Sequence, residues 1–209
     1  MSGVRAKTKR RAAGAAVLQE DVTLAITRAL FRELARTGYA ALSIEAVARR
    51  AGVGKAAIYR RWPSKLEMVS EVLAQVGGEL AEVPDTGSLE GDLRALLERT
   101  LALMRRPLVT RILPDLHAEM RRTPELATVV RSGVQRERRG RALALLRRAM
   151  DRGELTEGLD VELALDLIGA PLYWRAIVTA QAFPPGYLER LTAMLLGGLR
   201  ALSALPPGP

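Results

Sequence analysis

Apolar side chains recur at helical spacing along most of the chain. Val22, Ile26, Ala29, Leu30 and Leu34 predict an amphipathic helix ending near Gly38. A shorter stripe of Ile44, Val47 and Ala48 follows, with Glu45, Arg49 and Arg50 on its wet side. A third short helix is expected from Lys55 to Arg61, with Ile58 and Trp62 turned inward. From Ser64 a longer helix carries Leu66, Val69, Leu73 and Val76 to about residue 82, and residues 83–88 (VPDTGS) read as a linker. Leu93, Leu96, Leu97, Leu101 and Met104 mark a helix over residues 89–106, after which Pro107 and Pro114 are expected to break the chain up. Pro124 suits the first turn of another helix, running through Leu126 and Val130 toward Met150. Asp160 can cap a broadly apolar helix containing Leu163, Leu167, Ile168 and Leu172, kinked at Pro171. After Phe183-Pro184-Pro185-Gly186, the last helix carries Leu188, Leu191, Leu195, Leu196, Leu199, Leu202 and Leu205. The pattern predicts an all-α chain: an arm over residues 1–16, a three-helix bundle over 17–66 and a larger helical domain over 67–205.

The segment from Leu42 to Leu66 carries the most specific local chemistry. Ser43 can cap the first short helix with its hydroxyl, and Leu42 can staple against Val47. Gly52 can take the positive φ that turns the chain, and Val53 then points into the angle between two helices. Pro63 sets a break, and Ser64 with Glu67 makes a capping box for the next helix. This is a helix-turn-helix whose second member presents Lys55, Ala56, Tyr59 and Arg60 outward. Ala56 and Ala57 are small enough for close approach to a major groove, which admits one helix. Lys and Arg can meet phosphates or the acceptor edge of guanine, and Tyr59 can donate to a phosphate. Ser43, Arg49 and Lys65 are further phosphate candidates.

The formal charge of +9 is uneven. Residues 1–66 hold fourteen Lys and Arg against four Asp and Glu, including every lysine of the chain: Lys7, Lys9, Lys55 and Lys65. The remainder is near neutral, as expected if one domain binds a polyanion. The arm, with Arg5, Lys7, Lys9, Arg10 and Arg11, reads either as a solubilising tail or as a tracker of phosphates and minor groove. Arg136 to Arg141 reads as a solvated helical face rather than the alternative, a second DNA site. The absence of cysteine excludes disulfides and thiolate chemistry. No glycine-rich phosphate cradle, paired His-Asp arrangement or metal-ligand cluster is present, so no enzyme, cofactor or metal site is expected. No apolar run reaches membrane-spanning length and no secretory signal is visible, which predicts a cytoplasmic protein without a membrane partner. The last two apolar helices need a partner surface, which a second copy would supply across a two-fold axis. The alternative is a non-catalytic helical adaptor whose basic head binds a protein or an anionic surface.

The pattern Ser43-Ile44-x-x-Val47-Ala48-x-x-Ala51-Gly52-Val53-Gly54-x-x-x-Ile58-Tyr59-x-x-Trp62-x-x-Lys65 resembles the N-terminal domain of the TetR family of bacterial transcriptional regulators. Ala29, Leu30, Phe31, Gly38 and Tyr39 fit the same family. Arg152-Gly153-Glu154-Leu155 and the run Gly169 to Arg175 are similar to one branch of it. The resemblance implies a homodimer that represses from a palindromic double-stranded operator and is released by a small-molecule effector. It also implies that the helix after Ser64 transmits the change and that the C-terminal domain binds ligand. The effector pocket is then expected near Met104, Leu108, Ile112, Leu116 and Trp174, with His117, the only histidine, either an effector contact or a structural residue. The chain departs from the family pattern at Gly54, Ala57, Arg60 and Trp62, where Ser, Thr, His and Phe are common.

Overall fold

The computed structural model describes residues 5–79 and 84–205, with side chains over 21–74, 84–133 and 135–205. Every regular element among the described residues is helical, and the chain divides into two compact units after Val72. In the first unit, α1 spans Arg5–Thr37, α2 Ile44–Ala51, α3 Lys55–Arg61, and α4, Lys65–Glu79, begins there. α1 includes residues 5–16 of the expected arm, in keeping with their Ala, Arg and Lys content, all strong helix formers. Residues 1–4, and the expected end of α4 at residues 80–82, lie outside the described residues.

Ile26, Leu30 and Leu34 of α1, Val47 and Ala48 of α2, Ile58 of α3 and Met68, Val69 and Val72 of α4 are all buried. Glu33 lies on that same inner side of α1, only 2% exposed. It accepts hydrogen bonds from Arg36 of its own helix and from Arg50 of α2, whose Nε lies 3.1 Å away. Those bonds, Arg36 first, outweigh burial and hold its carboxyl below the usual glutamate range. An unpaired buried charge would be costly, so α2 is pinned to α1 by the pairing.

The second unit contains α5 (Leu89–Met104), α6 (Pro107–Met120), α7 (Pro124–Val130), α8 (Arg136–Asp151), α9 (Val161–Tyr173) and α10 (Tyr187–Ser203). α5 packs against α8, α9 and α10, and its Leu89, Leu93, Leu97 and Leu101 share a core with Leu145, Leu165, Ile168, Leu195 and Leu199. Each such leucine contributes about 1.5–3 kcal/mol relative to exposure. Asp160 caps α9 as expected, accepting from the Leu163 amide at 3.0 Å.

Two expectations are corrected here and one is refined. Pro107 starts α6, where its missing N–H is harmless, and Pro114 sits within that helix without ending it. Pro114 is on the exposed side, where water can serve the carbonyl it leaves unpaired, while Ile112 and Leu116 anchor the buried side. The helix expected from Pro124 toward Met150 runs without a gap to Asp151, with a π-helical turn, Arg131–Gln135, between α7 and α8. A second π turn, Trp174–Val178, follows α9 three residues after Pro171. Finally, Arg136 to Arg141 is more than a wet face, because Arg139 bridges to Glu162 and Asp166 of α9.

Asp92, fully buried, accepts from the Thr86 amide at 2.7 Å and its hydroxyl at 2.8 Å, and pairs with Arg148 at 3.3 Å and Arg152 at 3.1 Å. Glu154 accepts the Leu89 amide at 2.9 Å and so caps the start of α5 from 65 residues away. Among the described residues, no helix is long and apolar enough to cross a membrane, and no group of side chains could hold a metal ion.

Candidate nucleic-acid interface

The turn between α2 and α3 forms for local reasons. Ser43 is extended (φ −114°) and its hydroxyl accepts the Ala46 amide at 3.3 Å. Gly52 ends α2 at φ +70°, a conformation that L side chains rarely adopt. Gly54 starts α3 without a side-chain cap, as its replacement of a serine implied. Ile58 and Trp62 are buried at 0% and 1% exposure, which fixes the rotation of α3. Trp62 also donates its indole N–H to Glu71 of α4 at 2.9 Å.

That rotation leaves Lys55, Ala56, Tyr59 and Arg60 together on the exposed side, with Ala57 half-buried. The Lys55 ammonium lies 5.4 Å from the centre of the Tyr59 ring and pairs with Glu45 of α2. Lys55 above all, then a backbone amide and the Ser43 hydroxyl, lower the Glu45 pKa to about 2. Arg60 has no ion-pair partner among the described residues. Arg49 is exposed on α2. Lys65 does a different job from the others: its ammonium donates to the Tyr39 carbonyl at 2.9 Å and the Ala40 carbonyl at 3.1 Å. It thereby ties the start of α4 to the turn after α1, using two of its three N–H bonds. Sequence reasoning passed over Arg61, which donates to Thr23 at 2.5 Å and to Glu71 at 2.7 Å and braces the end of α3. It also passed over Glu33, although a charge one turn beyond Ala29 and Leu30 is a legible sign of an internal pair.

The outward group is one aromatic hydroxyl, two flexible cations and a small residue on a helix anchored from behind. Such a surface can enter a groove and meet phosphates and base edges. Residues 26–72 match the family described as "Bacterial regulatory proteins, tetR family", and residues 83–195 match "Tetracyclin repressor-like, C-terminal domain". The chain belongs to the TetR family of DNA-binding transcriptional regulators. An uncharacterized HTH-type transcriptional regulator of Mycobacterium tuberculosis, Rv1556, is 32% identical over 160 residues, 77% of each chain. YdeS of Bacillus subtilis, likewise an uncharacterized HTH-type regulator, is 29% identical over 88% of this chain and 93% of its own. The DNA-binding transcriptional repressor TetR of Mycobacteroides abscessus is 32% identical over 75% of this chain and 82% of its own. Among solved structures, the TetR family regulator SCO0332 superposes with a TM-score of 0.66 at 29% identity, covering 85% of this chain and 98% of that one. FadR of Bacillus subtilis, solved with stearoyl-CoA, shares the fold at 18% identity and a TM-score of 0.70, over 87% of this chain and 97% of its own. TetR-family regulators bind DNA operators and dimerise, and the family is one of regulators rather than enzymes.

The residues expected at a TetR-type effector pocket fall into two groups. Met104, Ile112 and Leu116 are buried, and His117 is half-buried. Leu108 and Trp174 are exposed, Trp174 at 60%. His117 Nδ1 lies 2.5 Å from the hydroxyl of Tyr173, a residue outside the expected set. Burial, and then the charge of Arg138, lower the His117 pKa and so favour its neutral imidazole. Burial raises that of Tyr173. Trp174 instead lines an open cleft of about 670 Å³ with Pro171, Arg175, Thr179, Gln181 and Tyr187.

Proposed function

We propose that this TetR-family protein is a homodimeric repressor that holds a palindromic operator and lets it go when a small-molecule effector binds the C-terminal unit. The observation that carries the DNA-contact reading is the outward side of α3, where Lys55, Ala56, Tyr59 and Arg60 stand free of the apolar core while Ile58 and Trp62 are locked inside. Arg49 adds a phosphate contact from α2, Ser43 adds one from the N-cap position when its hydroxyl turns from Glu45 to DNA, and Lys65 adds charge from the start of α4.

Dimerisation through α9 and α10 is supported by their outward faces. Leu163, Leu167, Trp174 and Val178 follow one side of α9 and its π turn, and all four are exposed. On α10, Met194, Gly197, Gly198 and Ala201 are exposed too, and a Cβ on either glycine would meet nothing within 4 Å. Two copies related by a two-fold axis would bury these faces as a four-helix bundle, and two heads would then read two half-sites. Repression is supported by the repressor of Mycobacteroides abscessus, and ligand control by the acyl-CoA complex of a protein with this fold. α4, whose residues fall on both sides of the division after Val72, is the covalent path for the signal. The protein works in the cytoplasm, where the operator is.

The test is selection of bound fragments from genomic DNA by the purified protein, followed by footprinting of the enriched site. The expected product is a two-fold-symmetric sequence near a promoter, bound more tightly than random duplex at the same salt concentration. Equal affinity for random duplex, or strong binding to anionic vesicles instead, would favour an adaptor.

A further inference from the structure

One side of α9 carries Glu162, Asp166, Gly169 and Tyr173 at successive turns, and it meets side chains of α8 and α6. At its first two turns, Arg139 of α8 pairs with Glu162 and with Asp166, the latter at 2.8 Å, so those charges are answered. At the last, the Tyr173 hydroxyl meets His117 of α6 at 2.5 Å. Between them lies the guanidinium of Arg138. It approaches the backbone of α9 so closely that a Cβ on Gly169 would collide with it. Glycine at 169 is what lets the cation sit there.

Arg138 differs from Arg139 in having no carboxylate within ion-pair distance among the described residues. Burial and then repulsion from Arg139 both weigh on its charge more than the attraction of Asp166, which acts only from a distance and is already held by Arg139. The residue as a whole is exposed, although its guanidinium is tucked against α9 and partly desolvated. The neighbouring pair offers a neutral donor whichever tautomer the imidazole adopts. If Tyr173 donates to Nδ1, the Nε2–H of His117 is left over; if Nδ1–H donates, the tyrosine O–H is left over. The two π turns frame the spot, Arg131–Gln135 just before Arg138 and Trp174–Val178 just after Tyr173, and the second packs against α6. Such turns loosen a helix locally and recur at functional sites.

We propose that Arg138, with His117 and Tyr173 beside it, is the recognition point for the carboxylate of an organic-acid effector. The proposal rests on the reading of the C-terminal unit as effector-responsive and gives that effector its chemical class. A guanidinium fork matches the two oxygens of a carboxylate, and one neutral donor completes the set. Glu162 and Asp166 on the same side of α9 weigh against a more highly charged phosphate.

The single histidine makes the test direct. Benzoate is titrated into the full-length protein while the His117 Cε1–H resonance is followed by NMR, with benzamide as the uncharged control. A saturable shift with benzoate and none with benzamide is expected. Arg138→Gln should weaken benzoate binding at least tenfold. Gly169→Ala, which keeps the charge and favours the helix, should weaken it several-fold by displacing the guanidinium. Circular dichroism should be unchanged in that variant. No shift with benzoate, or equal binding by both variants and the parent, overturns the proposal. Release of the gene's upstream DNA is scored in parallel. A shift without release supports the site and counts against effector control, whereas release by benzoate with His117 unmoved overturns the site and leaves effector control standing.

Discussion

Helix α3 buries Ile58 and leaves Lys55, Tyr59 and Arg60 in water, whereas α9 buries Leu165, Ile168 and Leu172 and leaves Leu163 and Leu167 there. The inner sides are alike, and each simply anchors its helix. What differs is the outer side: cations and a phenol in one case, leucines in the other. An outward cation near a small residue suits a phosphate backbone, and outward leucines suit a surface of the same kind. The contrast teaches that partner chemistry is written on the side of a helix that folding does not need.

Breaking the apolar side should have the largest effect. Leu163→Glu combined with Leu167→Glu removes four half-exposed leucines from the proposed two-fold interface and should cost the dimer about 4 kcal/mol. Sedimentation velocity should then find monomers at micromolar concentration; an unchanged dimer would put the interface elsewhere. Next in size is Asp92→Ala, which leaves the Thr86 amide without its buried acceptor and takes one carboxylate partner from each of Arg148 and Arg152, the latter keeping Asp85 and Glu154; it should destabilise the protein by about 3 kcal/mol in urea unfolding. Burial alone would raise the Asp92 pKa, but the Thr86 amide and hydroxyl with the two arginines bring it below the ordinary value of 3.8. A folded value below the unfolded one contributes stability above the unfolded value and loses it as pH falls through the folded one. The parent should therefore lose more stability than Asp92→Ala on acidification below that value.

On the polar side, Tyr59→Ala should weaken operator binding by about 1 kcal/mol, five- to tenfold, with the dimer intact. Undiminished affinity in a fluorescence-anisotropy titration would mean that α3 does not face the groove as drawn. Smallest is Gly54→Ser, which has open space for its side chain and restores an N-cap to α3, adding a few tenths of a kcal/mol to thermal stability. It sharpens the comparison by strengthening the helix without altering its outer face.

The head was largely legible in the sequence because its determinants are local. Ser43 and Gly52 act on backbone groups three or four residues away, Ile58 and Trp62 are one turn apart, and cap, turn and inward face follow from that spacing. Lys65 shows the limit of that reasoning: its charge suggested a phosphate, while its ammonium meets carbonyls 25 and 26 residues earlier. In the C-terminal unit the decisive pairings are distant. Glu154 caps α5 across 65 residues, and Gly169 matters because Arg138 of another helix crosses it. Pro114 misled because a proline's local penalty of about 3 kcal/mol is offset by the burial of Ile112 and Leu116 on either side of it. Neither π turn has a signature as plain as a glycine cap.

The two tryptophans end up in opposite surroundings, one in each unit. Trp62 is sealed and hydrogen-bonded to Glu71, while Trp174 is 60% exposed beside the open cleft. The chain therefore carries two built-in optical reporters of different colour, a blue-emitting indole in the head and a red-emitting one in the body. In a separated subunit a neutral quencher such as acrylamide should silence the second and spare the first, and pairing through α9 and α10 should shield both. Loosening of the head and coverage of the body can then be watched separately, in unlabelled protein, from a single emission spectrum.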